Sequence, residues 1–221
     1  MVLRIGHRGA AGHAPENTLK SISTAIALGA DLIEVDVQRT SDGSLVIIHD
    51  KRVDRTTDGT GYVSSITLDD IRKLRTADGQ QIPTLKEVLA LAHGRAGLIL
   101  EIISPGIGEQ VCAEVREFGF TDPIIYASFL HAELLTVRLA EPLAETLALL
   151  EGIPIVPTTF AIDAKASVVG LAIDSITAPF INALHDAGLR VFIYTVNDAR
   201  DIQWVKSLKA NGIISDFPER I

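Results

Sequence analysis

The sequence predicts an α/β protein, a (β/α)8 (TIM) barrel. Short β-branched, apolar runs alternate with longer segments of helical period, strand first, about eight times along the chain. The length of 221 residues is close to that of a small barrel. Ionisable residues also gather at the ends of the strand-like runs, where such a barrel collects its chemistry. A doubly wound open sheet is the alternative. It more often carries a G-x-G-x-x-G turn after its first strand, and "GHRGAAGH" does not match that spacing.

Taken in order, "VLRIG" reads as the first strand, and Pro15 and Glu16 suit the first turn of the helix that follows. Leu19, Ile22, Ala25 and Ile26 fall on one face of that helix. "DLIEVDVQ" is the second strand. "SLVIIHD" is a short extension paired with it through the "SDGS" turn, since Asp-Gly is a strong hairpin signal. Residues 51–83 are irregular and polar, apart from a helical pattern over Leu68 to Leu74. "TLKEVLALA" is a helix with Thr84 as N-cap and Glu87 completing a capping box. The strands "GLILEII", "PIIYASF", "AETLALL", "VVGLAID", "RVFIYTV" and "GIISD" follow. Helices over "GEQVCAEVREF", Ala132 to Leu139, Phe180 to Ala187 and Ala199 to Leu208 separate them, with a poorly defined helical stretch after "AETLALL". No linker, low-complexity tract or further repeat interrupts the series.

Composition excludes several classes. Acidic residues outnumber basic ones by 28 to 20, the formal charge is -8, and Lys and Arg form no cluster, which argues against nucleic acid as a partner. The single cysteine, Cys112, allows no internal disulfide or thiolate metal site, and its helical surroundings mark it as a packing residue. No apolar run approaches the ~18 residues of a membrane helix. The polar motif starts at His7, too early for a secretory signal to precede it, so a cytoplasmic protein is expected.

The strand ends carry the chemistry. Glu34 and Asp36 are two apart in an apolar strand, so both side chains share a face. Two carboxylates that close raise a pKa unless a cation lies between them. Glu101 lies on the neighbouring barrel strand. Three carboxylates without a cysteine suit a hard cation such as Mg2+ or Ca2+. Pairing with an arginine, or a half-exposed strand face, would account for them equally. His7 and His49 end strands on either side of the acidic strand and could divide proton transfers as base and acid. Arg8 is a natural anion ligand, or a barrel-mouth arginine balancing Glu34 or Asp36. Gly9 allows close approach or positive φ. His13, His93, His131 and His185 read as structural.

Together these residues fit metal-assisted cleavage of a phosphodiester, and the chain resembles the glycerophosphodiester phosphodiesterases. The matching stretches are "GHRGAAGHAPENT", "GADLIEVDVQRTSDGSLVIIHD", "DRTTDGTGYV", "IPTLKEVL", "LILEI", "YTVND" and "NGIISDFPE", spread over nearly the whole chain. The resemblance implies a single barrel domain over 1–221, with 51–83 as an insertion that caps the site. It implies hydrolysis of small glycerophosphodiesters to sn-glycerol 3-phosphate and an alcohol. Glu34, Asp36 and Glu101 then correspond to ligands of a divalent cation, Mg2+ or Ca2+. His7 and His49 correspond to the general acid and base, and Arg8 to a phosphate ligand. The attacking group would be water or the neighbouring glycerol hydroxyl, the latter through a cyclic phosphate. Two positions depart from the pattern. Ile103 stands where members often have lysine, and Tyr194 where many have tryptophan. A lysophospholipase D-type activity on lysolipids, with Ile103 and Phe129 lining an apolar groove, is one alternative. A barrel that binds phosphodiesters with little turnover is another.

Overall fold

Eight parallel strands close on themselves in the computed structural model, which describes residues 2–221. In chain order these are β1 (Leu3–Gly6), β2 (Leu32–Arg39), β4 (Gly97–Ile102), β5 (Ile124–Ser128), β6 (Glu145–Leu150), β7 (Val168–Ala172), β8 (Arg190–Tyr194) and β9 (Gly212–Ser215). The short β3 (Leu45–Ile47) is not part of the ring. It runs antiparallel to the end of β2, with Val37 opposite Ile47. The hairpin expected from "SDGS" is therefore present, and His49 lies just beyond its second strand. The barrel closes because β1 pairs with β9 on one side and β2 on the other, which aligns Gly6 with Ser215 and with Ile33.

The helices are α1 (Leu19–Ala27), α2 (Leu68–Ile71), α3 (Leu85–Ala92), α4 (Gly108–Phe118), α5 (His131–Ala140), α6 (Thr159–Asp163), α7 (Ala178–Asp186) and α8 (Ala199–Ser207). The Thr84–Glu87 capping box forms as expected, with both reciprocal hydrogen bonds. Cys112 is buried in the apolar layer between strands and helices. One expectation needs correction. Helix α1 starts at Leu19 rather than at Pro15, because Asn17 takes a left-handed backbone (φ 57°) and Thr18 is the residue that caps, accepting the Ser21 amide. The poorly defined helical stretch expected after β6 is the short α6, preceded by an irregular, largely exposed loop.

The barrel interior has two layers of character. Ile5, Leu32, Ile99, Ile125, Leu147, Val168, Phe192 and Ile214 form an apolar plug. Residues 51–83 are less featureless than their polarity suggests: Val53, Val63, Ile71 and Ile82 are buried against Val46 and Ile48 in a small core of their own. That core anchors the segment to the β2–β3 hairpin. Among the described residues, no helix is long and apolar enough to cross a membrane.

Candidate active site

Above the apolar plug, the mouth of the barrel on the β1–β2–β4 side is lined by charge. Asp36 is the register partner of Glu101 across the β2–β4 ladder, and Glu34 precedes Asp36 by two residues on the same face. Sequence spacing and register thus converge, and one oxygen from each carboxylate lies within 4.8 Å of the others. Glu34 and Asp36 are buried. Burial first, then the charges of Asp36 and Glu101, push the Glu34 carboxyl far above the usual carboxylate range. Burial and Asp36 push Glu101 up to about 8.

Such a cluster cannot carry three negative charges unaided, and Arg8 supplies only part of the compensation. Its backbone amide donates to Glu34 Oε2 (2.8 Å), and its Nη1 donates to Glu16 Oε1 (2.7 Å). Its Nε lies 3.4 Å from Asp36 Oδ2 without hydrogen-bond geometry. Glu34 Oε1 is also buried without a donor. An orphaned carboxylate oxygen facing two other acids is what a bound cation would satisfy, so the residues fit an oxygen-ligated divalent metal. Asn17 braces the cluster, its Nδ2 donating to Asp36 Oδ2 at 2.6 Å.

The positive φ of Arg8 (50°) and Gly9 (88°) makes the turn that aims the arginine. A Cβ on Gly9 would collide with Ser21, so only glycine lets the turn pack against α1.

Both candidate histidines are held by carboxylates. His7 Nδ1 lies 2.7 Å from Asp216 Oδ1, and Asn197 Nδ2 donates to Asp216 Oδ2 at 2.6 Å. Burial raises the Asp216 carboxyl, but its hydrogen bonds to His7 and Asn197 outweigh this and keep it ionised. His49 Nδ1 lies 2.7 Å from Asp50 Oδ1. Arg55, from the 51–83 segment, donates through Nε to Asp50 Oδ2 (2.6 Å) and through Nη2 to Oδ1 (2.9 Å). That pairing, with His49, holds Asp50 well below the usual range. The same guanidinium grips Glu16 at 2.7 and 2.8 Å. Burial pushes Glu16 up, yet Arg55 and Arg8 bring it down to about 2.

His7 therefore lines the same cavity as Glu34 and Glu101. His49 makes no hydrogen bond or ion pair with the triad among the described residues. It is joined to it by the chain Asp50, Arg55, Glu16, Arg8, Asp36. The other histidines have local partners: His13 with Glu219, His93 with Asp122, His131 with the Leu149 carbonyl and His185 with Asn211.

Sequence reasoning did not assign Glu16, Asn17, Asp50, Arg55, Asn197 or Asp216. The signals were present in "PEN", "HD", "DRT" and "ND…SD", but each becomes meaningful only with its three-dimensional neighbour. The opposite side of the mouth differs. Ala127, Phe129, Leu147, Leu149 and Tyr194 line it, with Phe129 edge-on to Tyr194 (centroids 6.1 Å apart). Ile103 lies beyond the end of β4 and lines a different recess, with Gln38 and Lys51, so the expected apolar groove shared by Ile103 and Phe129 does not form.

Fold and site together define a (β/α)8 barrel with three clustered carboxylates and a carboxylate-held histidine at its mouth. The profile of the glycerophosphoryl diester phosphodiesterase family matches residues 7–220. A glycerophosphodiester phosphodiesterase of Caldanaerobacter subterraneus subsp. tengcongensis is 35% identical over 232 residues, 99% of this chain and 96% of that protein. A phosphodiesterase of Oleispira antarctica, solved in complex with the product sn-glycerol-3-phosphate, has a TM-score of 0.92 at 26% identity. It covers 98% of this chain and 94% of its own. A glycerophosphodiester phosphodiesterase of Agrobacterium tumefaciens str. C58 has a TM-score of 0.87 at 29% identity, covering 100% and 98%. The chain belongs to the glycerophosphoryl diester phosphodiesterase family, and it is a phosphodiesterase.

Proposed function

We propose that the enzyme hydrolyses glycerophosphodiesters to sn-glycerol 3-phosphate and an alcohol, with Glu34, Asp36 and Glu101 holding a divalent cation and His7 and His49 dividing the proton transfers. The observation that carries this reading is the convergence of three carboxylates, two of them buried and one with an orphaned oxygen, beside a histidine locked to its own carboxylate. Bound there, Mg2+ or Ca2+ supplies positive charge to the phosphoryl oxygens.

The protein groups supply the rest. A carboxylate on Nδ1 fixes the tautomer of each histidine, so Nε2 is the atom that takes or gives the proton. One imidazole removes a proton from the attacking hydroxyl and the other protonates the departing alkoxide. Arg8 has a buried Nε free of hydrogen bonds, which suits it to a phosphoryl oxygen as charge builds there. Residues 51–83 cap this side of the site through Arg55, which braces both His49, by way of Asp50, and Arg8, by way of Glu16.

A second reading has its own observation. The apolar wall of Phe129, Leu149 and Tyr194 beside His7 and Glu101 suits a hydrocarbon chain, as a lysophospholipase D-type activity requires. One assay covers both. Glycerophosphocholine and lysophosphatidylcholine are incubated with Mg2+, Ca2+ or EDTA, and glycerol phosphate, lysophosphatidate and choline are measured. Glycerol phosphate from the first substrate, lost with EDTA, is expected. Lysophosphatidate alone would move the assignment to lysolipids, and no turnover on any diester would overturn both.

A further inference from the structure

A second recess opens at the mouth, on the β2–β4 side. Gln38, Arg39, Lys51, Tyr62, Ile103 and Ser104 line a cavity of about 330 Å3, inside the usual range of small-molecule sites of roughly 300–1,000 Å3. It adjoins the proposed catalytic groups. Lys51 follows Asp50 in the chain. Gln38 stands two residues beyond Asp36 on the same face of β2, and its Nε2 donates to the backbone carbonyls of His49 (2.8 Å) and Asp50 (2.7 Å). Ser104 follows the strand that carries Glu101.

Charge sets this recess apart from the rest of the mouth. Arg8, Arg52 and Arg55 are all matched by carboxylates. Among the described residues, Arg39 and Lys51 have no carboxylate within 4.0 Å. The Arg52 guanidinium, paired with Asp54, lies 4.8 Å above the Tyr62 ring at the rim. A chain of net charge -8 repels anions over most of its surface. Here two unmatched cations, from the end of β2 and the start of the 51–83 segment, share one cavity with hydroxyl donors at Tyr62 and Ser104. Ile103 gives the cavity an apolar face for a carbon skeleton.

We propose that this recess is the subsite for the alcohol part of the substrate, and that it selects alcohols bearing a negative charge of their own, such as a phosphate monoester. The inference rests on the phosphodiesterase reading above. It assigns Arg39 and Lys51 to specificity and leaves the chemical step to the residues already described. An anion in the recess gains charge-assisted hydrogen bonds from the two cations.

The test compares kcat/KM for three glycerophosphodiesters: choline (cationic alcohol), glycerol (neutral) and inositol 4-phosphate (anionic). The wild type should favour the anionic diester. Arg39→Glu and Lys51→Glu should each lower its kcat/KM about tenfold, chiefly through KM. The choline diester should be turned over as before or better, which also shows that the variants are folded. Arg39→Gln and Lys51→Gln should give smaller losses in the same order. Equal losses on all three substrates, or a wild type indifferent to alcohol charge, would overturn the assignment. Failure to turn over any of the three would count against the reaction itself. Calorimetric binding of the anionic diester would then decide the subsite: weaker binding to Arg39→Glu supports it, and unchanged binding refutes it.

Discussion

The two sides of the barrel mouth are built on the same strand geometry and do opposite things. On the β1–β2–β4 side, inward positions above the plug are Glu34, Asp36 and Glu101, and nearly every charge is tied into one network reaching from His49 to Asp36. On the β5–β6 side, the equivalent inward positions are Ala127 and Leu149, topped by Phe129 and Tyr194. The loops above that side, at Leu130, Ile153, Ile155 and Val156, leave large apolar groups in solvent. The lesson is a division of labour. The charged half is over-determined by mutual contacts, so a change there propagates. The apolar half carries no such charge network, and a change in the exposed loops above it stays local.

The sharpest way to break the comparison is to disable the charged half. His7→Ala and His49→Ala should each cost about 10^2–10^4 in kcat, read as released glycerol phosphate, and EDTA should reduce turnover to background. A His49→Ala variant with wild-type kcat would remove His49 from the proton transfers. Positioning comes next. Asp216→Asn and Arg55→Ala leave the imidazoles in place but loosen their orientation, and each should lower kcat roughly 10–100-fold with little change in KM. Arg55→Lys should recover only part of the loss, since a single ammonium cannot replace a guanidinium that grips two carboxylates.

A third effect is on stability. Glu101 is raised to about 8, so without metal the folded state binds its proton more tightly than the unfolded chain does. Its favourable contribution is complete at a pH below the ordinary carboxylate value and disappears as pH rises toward 8. Thermal unfolding in EDTA should therefore show Tm falling across pH 5 to 8. Saturating Mg2+ or Ca2+ should flatten that slope and raise Tm by about 5–10 °C at a hundred times Kd. A metal-independent Tm would count against the triad as a cation site. The smallest effect belongs to the apolar half. Ile155→Ser, at a fully exposed side chain, should change stability by less than about 0.5 kcal/mol. It should leave glycerophosphocholine turnover unchanged, and a loss confined to lysophosphatidylcholine would favour the lysolipid reading.

Much of this was legible in the sequence because it depends on periodicity. The alternation of strands and helices, the i, i+2 spacing of Glu34 and Asp36, the Asp-Gly hairpin and the Thr84 capping box are local patterns, and each was recovered. Placing Glu101 beside Asp36 needed only the assumption of neighbouring parallel strands. What was not legible is pairing between distant elements. Nothing in "DRT" says that Arg55 folds back to Glu16, 39 positions earlier. The start of α1 departs from the local pattern: Pro and Glu favour a first helical turn on average, while here Asn17 turns the chain so that its amide can brace Asp36. Ile103 stands in the recess with Arg39 and Lys51 rather than in one groove with Phe129, a neighbourhood that no linear pattern displays.

The pairing of Gly6 with Ser215 has a consequence in time as well as in space. The three clustered acids all come from the first half of the chain, but the carboxylate that orients His7 arrives 209 residues after it. A growing or refolding chain can gather its acids long before its first and last strands meet. Metal affinity should therefore appear early and hydrolysis late, which makes catalytic activity a direct clock for closure of the ring.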